Sequence, residues 1–107
     1  MKLVSVVDCL DAIETELRSL ERWAEQPPEV SALKSSTPFC VDTLAFEEWL
    51  QWILLPRMRA LLDAGAELPS QSAIAEMAEV VFAENLGRTA GLRRALKQLD
   101  RLLVRGA

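Results

Sequence analysis

The sequence predicts an all-α fold, a single-domain four-helix bundle over residues 1–107 with a proline-kinked second helix and a long loop between helices 1 and 2. Three observations support this prediction. Apolar residues recur every three or four positions in four segments, which is typical of helices with one buried face. No stretch shows the alternation of a half-buried strand. Half of the 107 residues are hydrophobic, which suits one core at this length.

The first predicted helix spans about Leu3–Glu25. Its apolar residues fall on one stripe when each residue advances the helix by about 100°, and most charged residues lie off that stripe. Pro27 and Pro28 are expected to end the helix, because the residue before a proline avoids helical backbone angles. An irregular connection over residues 26–41 follows, and loops of this length are often functional.

The second predicted helix spans about Asp42–Ala64, with Asp42 or Thr43 as its N-cap and Gly65 as its stop. It is apolar on more than one face, which is typical of a helix in the middle of a bundle. Pro56 lies inside it and has no N–H to donate. We therefore expect a kink just before Pro56.

Two further amphipathic helices are expected at about Ser70–Glu84 and Thr89–Val104. The last helix has a leucine at every third or fourth position, as a helix buried along one face does. These leucines are Leu92, Leu96, Leu99 and Leu103. Together with the first two helices, these segments complete a bundle around one core.

The residue types present exclude several classes of catalytic site. The chain has no histidine, which excludes Ser-His-Asp and Cys-His catalysis and any imidazole metal ligand. Its four glycines form neither a GxGxxG nor a Walker A loop. Glu76 and Glu79 could form a carboxylate pair, but metal sites in bundles typically use Glu-x-x-His, so we interpret the pair as a solvated face. We predict no catalytic residue, metal or cofactor.

Charge and cysteine content bear on partners and compartment. The net charge of −4 disfavours non-specific nucleic-acid binding by the whole molecule, because neutralising phosphates requires a cationic surface. The most apolar stretch, Leu44–Leu62, contains four charged side chains, which excludes an ordinary membrane span. Cys9 and Cys40 form no CxxC pair and are expected to be free thiols. We therefore expect a cytoplasmic protein.

A composite pattern within residues 38–58 resembles the YqcC-like family of small bacterial proteins of uncharacterised function. Its elements are Pro38-Phe39, Asp42-Thr43, Glu48-Trp49-Leu50-Gln51-Trp52 and Pro56-Arg57-Met58. The resemblance implies an all-helical, four-helix fold and supplies no reaction. It also implies a link to tRNA modification, since family members have been associated with tRNA pseudouridine synthase C. A stand-alone synthase is implausible, because that chemistry resembles a larger, sheet-based fold with a catalytic aspartate.

The second helix is a candidate binding site. The candidate residues are Asp42, Trp49, Gln51, Trp52 and Arg57. An arginine beside aromatic rings can recognise a ligand, as can the Trp52 carbonyl, because Pro56 offers it no N–H. In the alternative interpretation both tryptophans belong to the core, Pro56 only kinks the helix, Arg57 pairs with Asp42 or Asp63, and Asp42 is a simple N-cap.

The last helix is a second candidate, as a face for RNA or an acidic partner. Residues 85–107 hold six basic residues and one acidic residue, a net +5, whereas residues 1–84 hold six basic and 15 acidic residues, a net −9. The candidate residues are Arg93, Arg94, Lys97, Arg101 and Arg105. They could contact RNA phosphates or an acidic protein. Alternatively, they form a solvated face that balances acidic neighbours and favours the helix C-terminus.

Three functions stay open. The leading hypothesis is a non-catalytic interaction or accessory module with a protein partner, for which a second copy of the chain is a further candidate. The second is a helper in tRNA pseudouridine modification that contacts tRNA or a tRNA-modification enzyme. The third is a small-molecule binder or enzyme that uses a carboxylate and Arg57 in a pocket on the kinked second helix.

Overall fold

Helices make up the regular structure of this chain in the computed structural model, which describes residues 2–68 and 74–104. No strand occurs within those ranges, and the all-α prediction is confirmed. The helices are α1 (Lys2–Ser19), α2 (Val30–Leu33), α3 (Phe46–Trp49), α4 (Leu55–Ala64), α5 (Ile74–Val81) and α6 (Ala90–Val104). A 3-10 turn at Pro38–Cys40 precedes α3, and a π-helical turn at Leu50–Leu54 joins α3 to α4.

The core lies where α1 and α5 pack on α6 and where the α3–α4 segment closes the remaining side. Its fully buried side chains are mostly leucines at helical spacing, among them Leu10, Leu17, Leu92, Leu96 and Leu99. Burying one such side chain contributes about 1.5–3 kcal/mol relative to leaving it in water. The predicted leucine face of the last helix is therefore the buried face, and the predicted start at Thr89 lies one residue before the observed start.

The first helix ends at Ser19, so the predicted end at Glu25 is wrong. Glu21 adopts a left-handed conformation with φ of 60°. Its N–H donates to the Arg18 carbonyl at 3.0 Å, and the Arg22 N–H donates to the Leu17 carbonyl at 2.9 Å. These two bonds are the Schellman motif that terminates helices. Glutamate at position 21 does not predict the end of a helix, because glycine is the usual residue in this left-handed position.

The connection between α1 and α3 is longer than predicted at both ends, and it contains local structure. It includes the single turn α2 and the 3-10 turn at Pro38–Cys40. The Thr43 hydroxyl donates to the Ala32 carbonyl at 2.8 Å, which ties the two parts together. The expectation of an irregular connection is therefore correct in place but incomplete in content.

Helix α3 begins at Phe46, so the predicted N-cap at Asp42 or Thr43 is wrong. The N-cap is Ala45, which has no side-chain acceptor to offer the helix. Instead, the Ala45 N–H donates to the Glu48 carboxylate at 2.9 Å, which is half of a capping box. Asp42 and Thr43 lie in the preceding turn.

A π-helical turn lies directly before Pro56, where the sequence predicts a kink. The Leu55 N–H donates to the Leu50 carbonyl, five residues back. Pro56 then occupies the start of α4, a position that needs no donor. Gly65 ends α4 with φ of 66°, which confirms the predicted stop.

Helix α5 ends at Val81, three residues before the predicted end, and its predicted start at Ser70 lies outside the described residues. No helix in the described ranges is both long enough and apolar enough to cross a membrane.

Candidate functional site

The structure places the candidate residues of the second helix in separate surroundings. Gln51 and Trp52 line one groove, Trp49 packs into an aromatic cluster, and Asp42 and Arg57 are exposed outside that groove. The residues therefore do not form the single pocket that their shared helix suggests. Their role in binding stays a prediction.

Gln51 is buried and joins the α3–α4 segment to the connection after α1. Its Oε1 accepts the Ala24 N–H at 2.8 Å, and its Nε2 donates to the Ala24 carbonyl at 2.7 Å. One amide side chain thereby satisfies both backbone groups of Ala24, a residue outside any helix. This pair holds Trp23 and Glu25 against the helix, where they form one wall of the groove.

Trp49 is half-buried and contacts two other aromatic rings. Its ring centroid lies 4.9 Å from that of Phe39 in an edge-on arrangement and 6.1 Å from that of Phe46 in a stacked one. Phe46 also meets Phe82 edge-on at 5.8 Å. The aromatic cluster therefore connects the 3-10 turn, α3 and the residue after α5.

The same cluster holds a strained turn. Phe39 and Cys40 are consecutive residues with φ of 58° and 50°, a region that costs about 1–3 kcal/mol per non-glycine residue. Phe39 is held by its packing on Phe46 and Trp49, and Cys40 is buried. Packing of the Pro38-Phe39 motif thus offsets the strain that its backbone carries.

Asp42 and Arg57 are both exposed and are not brought together. Asp42 accepts a hydrogen bond from the Ser35 hydroxyl at 2.6 Å, and this bond lowers the pKa of the Asp42 carboxyl below its usual value. Arg57 takes no part in the ion pairs found in the described part of the chain, so the pairing with Asp42 or Asp63 that the alternative interpretation includes is not observed there.

A groove of about 600 Å³ lies between the end of α1, the connection after it and the start of α4. Two half-exposed tryptophans, Trp23 and Trp52, line it. The other lining residues are Glu14, Arg18, Ala24, Glu25, Gln51, Leu55, Pro56 and Arg59. We call this feature the Trp23–Trp52 groove. Its volume falls within the range of about 300–1,000 Å³ that is typical of ligand sites.

Three of the four charged side chains that line the groove are paired, and Glu25 takes no part in the ion pairs of the described residues. Glu14 pairs with Arg18 at 3.0 Å and with Arg59 at 3.4 Å, and Arg59 also pairs with Asp11 at 3.2 Å. The Arg18 guanidinium lies 4.5 Å above the Trp23 ring, a cation–π contact. The arginines are therefore held in place before any partner arrives, which lowers the entropy cost of using them as contacts.

The indole N–H of Trp52 has no hydrogen-bond partner among residues 2–68 and 74–104 and is shielded from solvent. Buried donors are almost always satisfied, so this one is a local weakness in the packing beside the groove. It lies in the π-helical turn, and such turns are frequent at functional sites.

Sequence reasoning identified Trp52 and Gln51 but missed Trp23, Arg18 and Arg59. The i,i+4 spacing of Glu14 and Arg18 was an available signal of a helix-surface ion pair. Trp23 was not identified as a site residue, because the first helix is expected to continue through it. No local signal pointed to Arg59, which meets Glu14 across 45 positions of the chain.

The basic residues of α6 differ in their contacts. Arg93 is half-buried and tied to its surroundings, since its guanidinium bonds Glu79 at 3.2 Å and also the Leu86 carbonyl. Arg94, Lys97 and Arg101 are exposed. They take no part in the ion pairs of residues 6–68 and 74–103. Arg105 lies outside the described residues.

The described part of the chain contains no cluster of three carboxylate or cysteine side chains that could hold a metal ion. Cys9 and Cys40 are buried free thiols, as the sequence predicts. Burial, and then the nearby Asp8 carboxylate, raise the pKa of the Cys9 thiol and keep it in the unreactive protonated form.

Comparison with known proteins identifies the family. The model of the DUF446 family, described as tRNA pseudouridine synthase C, matches residues 5–102. The chain belongs to the DUF446 family. This assignment confirms the resemblance to the YqcC-like family, and a relative named YqcC matches most of this chain.

Three known proteins are similar to this chain in sequence. YqcC of Escherichia coli, an uncharacterised protein, is 37% identical over 95 residues, which span 89% of this chain and 87% of that one. An uncharacterised protein of Haemophilus influenzae is 40% identical over 75 residues, 70% of this chain and 71% of that one. A tRNA pseudouridine synthase C of Pectobacterium carotovorum is 53% identical over 57 residues, which are 53% of this chain but 15% of that one.

An experimental structure of a relative has the same fold. The solution NMR structure of Escherichia coli YqcC matches with a TM-score of 0.85 at 35% identity, over 99% of this chain and 91% of that one. The similarity extends beyond the motif at residues 38–58 to the whole helical domain.

Several residues of the YqcC-like pattern within residues 38–58 have structural roles here. Thr43 bonds Ala32, Glu48 caps Ala45, and Gln51 clamps Ala24, so each fixes part of the connection before α3. Trp52 and Arg57 are different, since neither makes a polar contact in the described part of the chain that would explain its residue type.

Proposed function

We propose that this DUF446 domain is a non-catalytic accessory domain that binds a tRNA pseudouridine synthase. The observation that carries the proposal is the Pectobacterium carotovorum chain named tRNA pseudouridine synthase C, 15% of which matches this protein at 53% identity. In that chain a related segment is covalently joined to a sequence that lies outside the match. Two domains that occur on one chain in one organism commonly act together when they are separate chains.

A binding role suits the residues of this chain better than a catalytic one. It has no histidine, and both arginines of the Trp23–Trp52 groove are already paired with a carboxylate. The larger part of the Pectobacterium carotovorum chain lies outside the match and leaves room for a catalytic domain. This chain then supplies contacts and no reacting group.

The surface that best suits the synthase is the Trp23–Trp52 groove. Tryptophan and arginine are enriched among the residues that dominate binding energy at protein interfaces. Here two of each line one concave surface, and ion pairs with Glu14 fix both arginines. A partner segment that inserts an apolar side chain between the indoles would bury them and leave both arginines paired with Glu14.

The proposal includes two finer features of the fold and a compartment. The long helices form a four-helix bundle. The second of them, which runs through α3 and α4, bends before Pro56, where the π-helical turn accommodates a residue that has no N–H to donate. The domain acts in the cytoplasm, the compartment that suits its free Cys9 and Cys40 thiols.

Isothermal titration of this chain into full-length tRNA pseudouridine synthase C from the same organism tests the proposal. We expect a 1:1 complex, weakened about tenfold or more by Trp23→Ala, which corresponds to about 1.4 kcal/mol. Because Trp23 also packs against the core, Glu25→Lys at the groove is a second variant that leaves the packing intact.

The matched control is Glu29→Lys, the same substitution at an exposed residue that does not line the groove. It should leave the affinity unchanged. Absence of any complex would contradict the accessory role. A complex that Glu25→Lys and Glu29→Lys affect equally would place the interface elsewhere.

A small-molecule ligand in the same groove is the second candidate function, favoured by the groove volume of about 600 Å³. A ligand present at about 100 times its dissociation constant adds ~2.7 kcal/mol of stability. A thermal-shift screen of metabolites should then find a compound whose effect disappears in Trp23→Ala. A screen without any such compound would leave only the accessory role.

A further inference from the structure

The exposed side of α6 carries a row of cations. Arg94, Lys97 and Arg101 are three and four positions apart, so they lie within about 60° of one another around the helix axis. This row is nearly opposite the leucines that face the core, such as Leu96 and Leu99. We call these three cations the α6 cationic stripe.

The stripe is available to a partner. Its three side chains are exposed and take no part in the ion pairs within residues 6–68 and 74–103. The neighbouring Arg93 shows the contrast, since its guanidinium is occupied by Glu79 and the Leu86 carbonyl. The structural explanation that holds for Arg93 therefore does not extend to the stripe.

Few acidic groups lie near the stripe. Residues 90–99 contain no aspartate or glutamate, and the Asp100 carboxylate is turned to α5, where it accepts the Ala75 N–H at 2.7 Å. Asp8 and Glu16 of α1 line a groove with Arg94 and Gln98, so they reduce the potential on that side of the stripe. In a chain of net charge −4, the stripe is a concentrated cationic surface.

The composition of the stripe distinguishes between two kinds of anionic partner. The centre of a protein interface is depleted in charge and enriched in aromatic residues. No aromatic residue occurs between Thr89 and Val104, and Gln98, which also lies on this side, is polar and exposed. Contacts to a phosphate backbone need only cations and carry no base readout.

We propose that the α6 cationic stripe binds backbone phosphates of the tRNA on which the associated synthase acts. The proposal rests on the accessory role above and extends it, since the domain then contacts both enzyme and substrate. Three cations on an acidic chain bind tRNA weakly by themselves. Held on the synthase, they act at the high effective concentration that linkage provides and add to the affinity of the enzyme.

The test measures the affinity of the complex of synthase and wild-type chain for an unmodified tRNA transcript over a range of salt concentrations. The triple variant Arg94→Glu/Lys97→Glu/Arg101→Glu should weaken tRNA binding at least tenfold at low salt. It should also lower the slope of log K against log salt by about 2–3, because each phosphate contact contributes about 0.7–0.9. Its affinity for the synthase should not change.

A single matched pair of variants controls for net charge. Lys97→Glu and Lys34→Glu make the same substitution at two exposed lysines, of which only Lys97 lies in the stripe. We expect Lys97→Glu to weaken tRNA binding several-fold and Lys34→Glu to have little effect. Equal effects would mean that only total charge matters, which would overturn the proposal.

Two further outcomes separate this inference from the accessory role. If the triple variant loses affinity for the synthase rather than for tRNA, the stripe is a protein contact and the proposal is wrong. If the wild-type chain does not bind the synthase at all, the accessory role fails, and NMR of the ¹⁵N-labelled chain with tRNA at low salt decides about the stripe. Chemical-shift changes of the α6 amides that occur in the wild-type chain and are lost in the triple variant would support the proposal. If the wild-type chain shows no such changes, the proposal is wrong.

Discussion

Gln51 and Ala24 form a two-point pair in which one buried side-chain amide satisfies both the N–H and the carbonyl of a single residue, at 2.8 and 2.7 Å. The pair joins residues 27 positions apart and closes the connection after α1 onto the π-helical turn. A polar residue in an otherwise apolar helical segment is thereby explained by the loop it holds. The position of Trp23 in the groove depends on the same pair.

Gln51→Leu should destabilise the domain by about 2 kcal/mol, because a similar volume is kept while two partly buried backbone groups of Ala24 lose their partner. Urea denaturation followed by circular dichroism measures this. Gln98→Leu, at an exposed position of α6, is the matched control and should change stability by less than about 0.5 kcal/mol. Equal effects of the two substitutions would show that water replaces Gln51 without cost.

The helices that the sequence predicted well are those with a regular apolar pattern and a usual boundary residue. The leucines of α6 place it within one residue, and Gly65 ends α4 where expected. The end of α1 was missed because the residue that turns the chain is Glu21, and glutamate does not signal a left-handed conformation. The start of α3 was missed because Ala45 caps it through the side chain of Glu48.

The candidate site was harder to predict because it is assembled from distant parts of the chain. Trp52 could be singled out within its helix, but Trp23 lies beside it in the connection that Gln51 holds, and Arg18 belongs to another helix. The α6 face was predicted as one unit, yet tertiary contacts remove Arg93 from it. Helical spacing defines a face, whereas the fold decides which of its members are free.

Glu21→Gly should stabilise the domain. An L-residue in the left-handed region costs about 1–2 kcal/mol, and glycine avoids this strain but gains entropy in the unfolded chain, so we expect a net gain of about 0.5–1 kcal/mol. The reverse change at the equivalent position of α4, Gly65→Glu, should destabilise by a similar amount. Thermal denaturation of both variants measures this. A destabilising Glu21→Gly would mean that the glutamate side chain makes a contribution larger than the backbone strain.

Asp42 should make the stability of the domain depend on pH in the acid range. The hydrogen bond from Ser35 lowers the pKa of this carboxyl in the folded state below its unfolded value of about 3.9. The stabilisation is therefore complete above that value and is lost as the pH falls through the folded-state pKa.

Asp42→Asn should remove this part of the acid dependence, which thermal denaturation between about pH 2 and pH 6 measures. Asp63→Asn is the control, since the Asp63 carboxylate accepts no hydrogen bond from the residues described. If the stability of Asp42→Asn falls with decreasing pH as steeply as that of the wild type, the hydrogen bond from Ser35 does not favour the charged form of the Asp42 carboxyl.

Arg93 and Arg94 are adjacent in sequence but should respond differently to the same substitution. Arg93→Ala removes the guanidinium that bonds Glu79 and the Leu86 carbonyl, so we expect a loss of about 1–2 kcal/mol. Arg94→Ala removes an exposed side chain with no ion pair in the described ranges and should change stability by less than about 0.5 kcal/mol. The difference in helix propensity between arginine and alanine is the same for both and cancels in the comparison.

Urea denaturation of the two variants measures the difference in their stability losses. The tRNA binding of the synthase complex should show the opposite order, with Arg94→Ala the weaker binder. Similar stability losses for both would mean that the contacts of Arg93 contribute nothing beyond those of a solvated arginine.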